Sequence, residues 1–190
     1  MGKLIGLLGR KRVGKDTVAD YLINNYNFTK HAFAHPIKEI LKIMFDFTES
    51  QLNNDKEKID DRWGISPRIA MQQFGTDFVR DNICKYIPNI KNNLNDETLW
   101  IKLFRIWYEK NKEKDIIISD VRFLDEIEVI KSLGGKIIKI NRDTNQIDNH
   151  KSECNIENYD KKLIDYQIDN NSTLNNLYSQ TNTIINNIKI

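Results

Sequence analysis

The residues Gly9-Arg10-Lys11-Arg12-Val13-Gly14-Lys15-Asp16-Thr17 combine glycine, base and hydroxyl in the spacing Gly-x4-Gly-Lys. Each residue type has a use in holding phosphate. Gly9 and Gly14 let the backbone turn so that successive N–H groups converge on anionic oxygens. A helix that follows such a loop presents its positive end to the same anion. Lys15 can reach the β- and γ-phosphates of ATP and offset charge during transfer. Lys11, Arg12 and the backbone at Val13 fall within the same turn, where phosphate contact is expected. Arg12 is counted on both the donor and the acceptor side. Thr17 supplies a hydroxyl to phosphate or Mg²⁺. Asp16 stands where Ser or Thr is usual, and either holds Mg²⁺, directly or through water, or orients the acceptor.

A second group lies farther along the chain. Residues 116–120 read Ile-Ile-Ile-Ser-Asp, an apolar strand ending in an acid. Ligands of parallel sheets gather at the carboxyl ends of the strands, so Asp120 is placed to meet the metal and the reacting phosphates. Arg122, two residues on, reaches toward the same cleft. Arg142 follows the next apolar strand and opens a polar stretch that reads as a lid, about residues 142–158. A lid of this kind shuts water out of a phosphoryl transfer. Lys15, Asp16, Asp120, Arg122 and Arg142 are therefore the expected catalytic set, and Asp16, Thr17 and Asp120 the expected metal ligands.

These residues need a frame. Residues 3–8 form a short apolar run that ends at Gly9, as a buried parallel strand would. Val18, Ala19, Leu22 and Ile23 then recur at helical spacing. Strands are further expected at 28–33, 115–120, 136–140 and 166–168. Helices are expected from Pro36, from Pro67 with Ser66 as N-cap, over 98–108, over 125–133 and over 173–188 with Ser172 as cap. The helix from Pro67 should turn Ile69, Met71, Phe74 and Phe78 toward an apolar face. Residues 48–63 read as a loop or short helical excursion. Alternation of strands and helices implies an α/β fold, a central parallel sheet flanked by helices. It is read as a single domain over residues 1–190, with a helical region at about 34–110.

Bulk properties narrow the function classes. The chain has 190 residues, 39% hydrophobic and 29% charged, with a net charge of +2. That balance is too mild for stable nucleic-acid binding but allows a small anionic substrate. No apolar run approaches a membrane span, and no secretory leader is evident. Cys84 and Cys154 have no metal or redox spacing and read as ordinary reduced thiols. A cytoplasmic location is expected.

With these residues set out, the chain resembles bacteriophage deoxynucleoside monophosphate kinases. The likeness is carried by Gly14-Lys15-Asp16-Thr17, by Ala34-His35-Pro36-Ile37-Lys38, and by Arg68 to Asp77 with its Met71-Gln72 and Gly75-Thr76-Asp77. It continues in Trp100-Ile101-Lys102-Leu103-Phe104, in Ser119-Asp120-Val121-Arg122 with Glu126, and in His150-Lys151-Ser152-Glu153. The resemblance implies a P-loop kinase fold with a helical acceptor-binding region and a lid. It implies ATP and Mg²⁺, and transfer of the γ-phosphate to a deoxynucleoside 5′-monophosphate. It further implies that Lys38 and Arg68 hold the acceptor phosphate, and that Gln72 and Asp77 contact base or sugar or brace the site. Gly75 and Thr76 belong to the same block. Glu153 would accept from a base N–H group, with His150 positioning it. Trp100 reads as core or as a base-stacking surface. A bidentate guanidinium–phosphate pair is the physical reason to favour Arg68.

The phage enzymes carry additional sequence between the second helix and the block beginning at Arg68; residues 48–63 here are short. A homodimer is left open, and a viral source would place the protein in host cytoplasm. The alternative substrates are phosphomevalonate and dephospho-coenzyme A, whose kinases share parts of these motifs. A non-kinase P-loop NTPase would need a basic face or a second interaction module, neither of which the sequence shows.

Overall fold

The computed structural model describes residues 1–143 and 159–188. The expected lid beyond residue 143, with His150 and Glu153, lies outside the described residues. The chain divides into two compact units, Met1–Ala32 with Arg105–Ile190, and Phe33–Phe104.

The first unit is built on a five-stranded sheet of β1 (Leu4–Leu8), β2 (Thr29–His31), β3 (Ile116–Val121), β4 (Lys136–Asn141) and β5 (Tyr166–Asp169). The strand order is β2-β3-β1-β4-β5 and every pairing is parallel. β1 is the central strand and all five of its residues are buried. That explains its unbroken apolar run: a strand covered on both faces has no polar side to alternate with. Ile5 and Leu7 pack with Val18, Ala19 and Leu22 of α1 (Lys15–Tyr26) and with Leu177, Ile184 and Ile185 of the C-terminal helix Leu174–Asn187. Each such fully buried aliphatic side chain contributes about 1.5–3 kcal/mol. The helix Leu124–Ser132 packs against β1 and β4. The cap of the C-terminal helix is Thr173, not Ser172. The Thr173 hydroxyl accepts from the Asn176 N–H at 3.3 Å.

The second unit is helical. It contains α2 (His35–Phe45), α3 (Glu49–Asn53), α4 (Pro67–Gln72), a π-helical segment (Gln73–Arg80), α5 (Asp81–Tyr86), α6 (Lys91–Leu94) and the first part of α7 (Leu99–Glu109). With these counted, Leu124–Ser132 is α8 and Leu174–Asn187 is α9. Leu41, Phe47, Leu52 and Ala70 form the small core, with Ile37, Phe45, Ile65, Met71 and Phe74 packed around it. Ser66 caps α4 as its sequence predicts, accepting from the Ile69 N–H.

Two expectations are resolved here. Of the two readings of residues 48–63, the structure takes the short helical excursion, with α3 over Glu49–Asn53. Thr48 and Gln51 close a capping box on α3. Farther on, the buried Asp60 carboxylate takes Arg62 Nε at 3.0 Å, Arg62 Nη2 at 2.9 Å and Gln51 Nε2 at 2.7 Å. The Arg62 guanidinium holds the Asp60 carboxyl well below the usual carboxylate range. The second, for the helix after Pro67, is corrected. Ile69 and Phe78 are exposed, while Ala70, Gly75 and Val79 are buried. A π segment bonds i to i+5, so the inward face runs from Ala70 to Gly75 and from Phe74 to Val79, off the α-helical spacing that would have turned Phe78 inward.

Candidate active site

The loop joining β1 to α1 owes its shape to its glycines. Gly9 has φ 154°, and a Cβ there would lie 2.6 Å from the Ile140 carbonyl oxygen. Gly14 has φ 106° and precedes α1 without a side-chain cap. The first-turn N–H groups of α1 are thereby left to an anion. Arg12 adopts φ 64° without being glycine, a local strain of about 1 kcal/mol or more. The Val13 side chain, 2% exposed, is pinned into the sheet core, so its contribution to a nucleotide would come from its backbone.

Lys15 is 9% exposed. Its Nζ donates to the carbonyl oxygens of Gly9 at 2.6 Å and Arg10 at 2.7 Å. The ammonium is therefore held within the curve of the loop, close to where the loop N–H groups would gather phosphate oxygens. Thr17 is half-buried in the first turn of α1, and Asp16 is exposed. The Asp16 carboxylate pairs with Lys30 of β2 at 3.0 Å, and Lys30 also reaches Asp20 at 3.4 Å. Partial burial works against the Lys30 charge, but the two carboxylates outweigh it and raise its pKa.

β3 carries the acid to the same end of the sheet. Its register against β1 shifts between Gly6 and Leu8, and Leu8 pairs with Val121. Asp120 is half-buried beside that irregularity, the kind that re-aims side chains next to sites. The turn after Asp120 is fixed by Glu126, 3% exposed, whose Oε2 accepts from the N–H groups of Arg122 at 2.8 Å and Phe123 at 3.1 Å. The Tyr159 hydroxyl donates to the Arg122 carbonyl at 2.7 Å. Arg142 is exposed, one residue beyond β4. Residues 9–17, Asp120, Arg122 and Arg142 thus converge at the carboxyl ends of β1, β3 and β4.

The remaining expected residues lie in the second unit. Arg68 sits in the first turn of α4. Its side chain is 14% exposed and its Nε donates to Glu57 Oε1 at 3.0 Å. Lys38 Nζ donates to Asn53 Oδ1 at 2.6 Å. Gln72 is half-buried at the end of α4. Gly75, Thr76 and Asp77 all fall in the π segment, with Gly75 and Thr76 buried and Asp77 exposed. Such segments are frequent at functional sites. Trp100 is 4% exposed and its indole N–H donates to the Gly75 carbonyl at 2.8 Å. That corrects the base-stacking reading of Trp100: both ring and donor are engaged inside the unit.

Asn170 has no counterpart in the sequence reading. It follows β5, is 8% exposed, and donates from Nδ2 to the Val13 carbonyl at 2.8 Å. Its N–H bonds to the Asn141 carbonyl at 2.8 Å. A Cβ on Gly14 would fall 2.5 Å from Asn170 Nδ2. The available signal was the one that exposed Asp120, a polar residue closing a strand. Tyr159 and Lys30 had no sequence signal.

A parallel sheet whose central strand feeds a Gly-x4-Gly-Lys loop, with an acid ending the neighbouring strand, defines a P-loop kinase. The dephospho-CoA kinase of Campylobacter jejuni has a similar fold, with a TM-score of 0.50 and 17% identity over 98% of this chain and 96% of that one. The chain belongs to the deoxynucleotide monophosphate kinase family, whose model matches residues 3–57 and 44–181. The two matched segments overlap over residues 44–57. A protein of Acanthamoeba polyphaga mimivirus, provisionally named a deoxynucleotide monophosphate kinase, is 38% identical over 97% of this chain and 96% of its own length. The deoxynucleotide monophosphate kinase of Escherichia phage RB69 is 26% identical over 96% of this chain and 99% of its own length. Family membership makes the chain an enzyme of phosphoryl transfer to deoxynucleoside monophosphates. Among the described residues, no helix is long and apolar enough to cross a membrane.

Proposed function

We propose that the chain converts a deoxynucleoside 5′-monophosphate to its diphosphate at the expense of ATP, with the residues above in the following roles. An oxygen of the acceptor phosphate forms a bond to the γ-phosphorus. The bond from that phosphorus to the β–γ bridging oxygen breaks, and ADP leaves. The acceptor is already anionic, so no protein base is required. Positioning and charge compensation dominate.

The loop N–H groups and Lys15 hold the ATP β- and γ-phosphates, with Lys11 and Arg12 beside them. Lys15 offsets charge accumulating on the transferred group. Arg122 and Arg142 supply further positive charge. Arg68 and Lys38 hold the acceptor phosphate, and Gln72 and Asp77 contact its base or sugar. Mg²⁺, when bound, would offset phosphate charge during transfer. Thr17 and Asp120, with Asp16, are hard oxygen donors that suit it. Among the described residues no group of three or more His, Cys, Asp or Glu is arranged as a metal cage. Mg²⁺ in phosphoryl transfer normally takes one or two carboxylates plus substrate oxygens, so the donor set fits. The working place proposed is the cytoplasm, that of a host if the chain, like these relatives, is viral.

The observation that carries the reading is the buried Lys15 ammonium at the mouth of a glycine-shaped loop, before an uncapped helix. The test is an ADP-coupled assay with dGMP, dTMP, dCMP, dAMP, phosphomevalonate and dephospho-coenzyme A. Turnover with at least one deoxynucleotide is expected. Turnover confined to phosphomevalonate or dephospho-coenzyme A would overturn the substrate assignment.

A further inference from the structure

Arg68 carries a long, flexible side chain, yet it is only 14% exposed and its plane is gripped at one point. That point is Nε, which donates to Glu57 Oε1 at 3.0 Å. Among the described residues Nε is the one guanidinium nitrogen of Arg68 with a partner. The edge formed by the two Nη groups is the one that pairs bidentately with phosphate.

The grip does not depend on chance meeting of two long side chains. The Arg68 N–H donates to the Lys56 carbonyl at 2.8 Å, tying the backbone beside Glu57 to the start of α4. Ser66 and Pro67 fix the helix start on one side. On the other, Asp60 and Arg62 lock the segment that follows Glu57, with Asp60 N–H bonded to the Ile65 carbonyl at 3.0 Å. The Glu57 side chain remains 55% exposed, so its negative charge is screened by solvent. Solvent screening thereby weakens the repulsion between Glu57 and an incoming phosphate.

We propose that Glu57 is a positioning residue for the acceptor phosphate, turning the Nη edge of Arg68 toward it by holding Nε. The proposal rests on the assignment of Arg68 to the acceptor.

The test is steady-state kinetics with the best deoxynucleotide of the substrate panel, in Glu57→Ala, Glu57→Gln, Arg68→Ala and the Glu57→Ala/Arg68→Ala pair. Releasing one side chain that must then be ordered on binding should raise the acceptor KM by roughly three- to tenfold in Glu57→Ala. The kcat, the ATP KM and the melting temperature should stay near wild type. Glu57→Gln keeps an oxygen that accepts from Nε and should restore the acceptor KM. In the Arg68→Ala background, Glu57→Ala should add nothing. An unchanged or lowered acceptor KM in Glu57→Ala would overturn the positioning role, as would Glu57→Gln being as impaired as Glu57→Ala. An unchanged acceptor KM in Arg68→Ala would instead overturn the assignment of Arg68 itself.

Discussion

Asn170→Ala isolates the contribution of a buried side chain that bonds to the phosphate loop at the Val13 carbonyl. The substitution removes the bond from Nδ2 to the Val13 carbonyl, 2.8 Å long and buried. Val13 is 2% exposed at its side chain, so water has poor access to replace the lost donor. A buried carbonyl left without its partner costs about 1–3 kcal/mol. Taking about 2 kcal/mol, the melting temperature of a chain this size should fall by roughly 4–8 °C. The loop also loses its bond to Asn170, so the ATP KM should rise by about tenfold if roughly 1.4 kcal/mol of that loss falls on nucleotide binding. The acceptor KM should hold. Differential scanning fluorimetry with and without ATP, beside initial-rate kinetics, reads both effects. Asn170→Asp sharpens the test because it sets a carboxylate oxygen against the Val13 carbonyl, and it should be worse than alanine. A melting temperature within about 1 °C of wild type, together with an unchanged ATP KM, would refute the reasoning. So would an aspartate variant milder than the alanine one.

Other substitutions probe neighbouring features. Gly14→Ala forces a Cβ into a φ of 106° and to within 2.5 Å of Asn170 Nδ2. It should cost about 2 kcal/mol or more and weaken ATP binding, measured by melting and by nucleotide titration; wild-type behaviour in both would contradict the loop geometry. Trp100→Phe deletes the donor to the Gly75 carbonyl. It should lower stability by about 1–2 kcal/mol in denaturant unfolding while leaving the ATP KM alone, whereas a raised ATP KM with stability intact would count against a packing role. Asp165 accepts from Lys131 Nζ at 2.7 and 2.8 Å and from the Ile137 N–H at 2.8 Å. Burial alone would raise its pKa, but the Lys131 and Ile137 bonds outweigh that and lower it. The folded state thus binds this proton less readily than the unfolded chain. The stability it contributes is present above the ordinary carboxyl pKa of about 3.9 and is lost as pH falls through the lower folded value. Asp165→Asn should cost about 2 kcal/mol at pH 7, and its gap from wild type should close below about pH 4. A gap independent of pH would remove the ionic explanation.

The middle of the sheet was legible because β1 is an apolar run followed by Gly9 and β3 an aliphatic run closing near Asp120. Leu4–Leu8 and Ile116–Val121 differ from the expected ranges by a residue or so. The phosphate loop was equally plain, since glycine spacing and the adjoining lysine are local signals. What escaped depends on partners distant in sequence. Asn170 meets Val13 across most of the chain, and nothing near either residue announces the other. His31, which offered no partner in the sequence, stacks on Trp107 with ring centroids 3.8 Å apart. Within residues 48–63, whose polarity suggested a loop or short helical excursion, the buried Asp60 carboxylate adds order that no local signal announces. The π segment was hidden for another reason: Phe74 and Phe78 are spaced for an α-helix, and only packing around Gly75 and Ile37 shows why that spacing is not used. A Cβ at Gly75 would come 2.7 Å from Ile37 Cδ1.

The central place of β1 also has a bearing on how the protein is made. β1 leaves the ribosome before any other strand, yet its partners, such as Ile116 for Leu4 and Lys136 for Ile5, come more than 100 residues later. The helical unit Phe33–Phe104 is contiguous and lies wholly between them. Contacts between distant residues form slowly because the intervening chain must first be closed into a loop. The helical unit should therefore gain structure during synthesis while β1 and the nucleotide loop wait for the last third of the chain. Nascent chains arrested with about 110 residues exposed should resist protease in the helical unit and fail to bind ATP. Nucleotide binding by such a chain would show that the loop can form without β4 and Asn170. In a folding assay, ATP binding would then report a late step of assembly, reached only after β3 and β4 have joined β1.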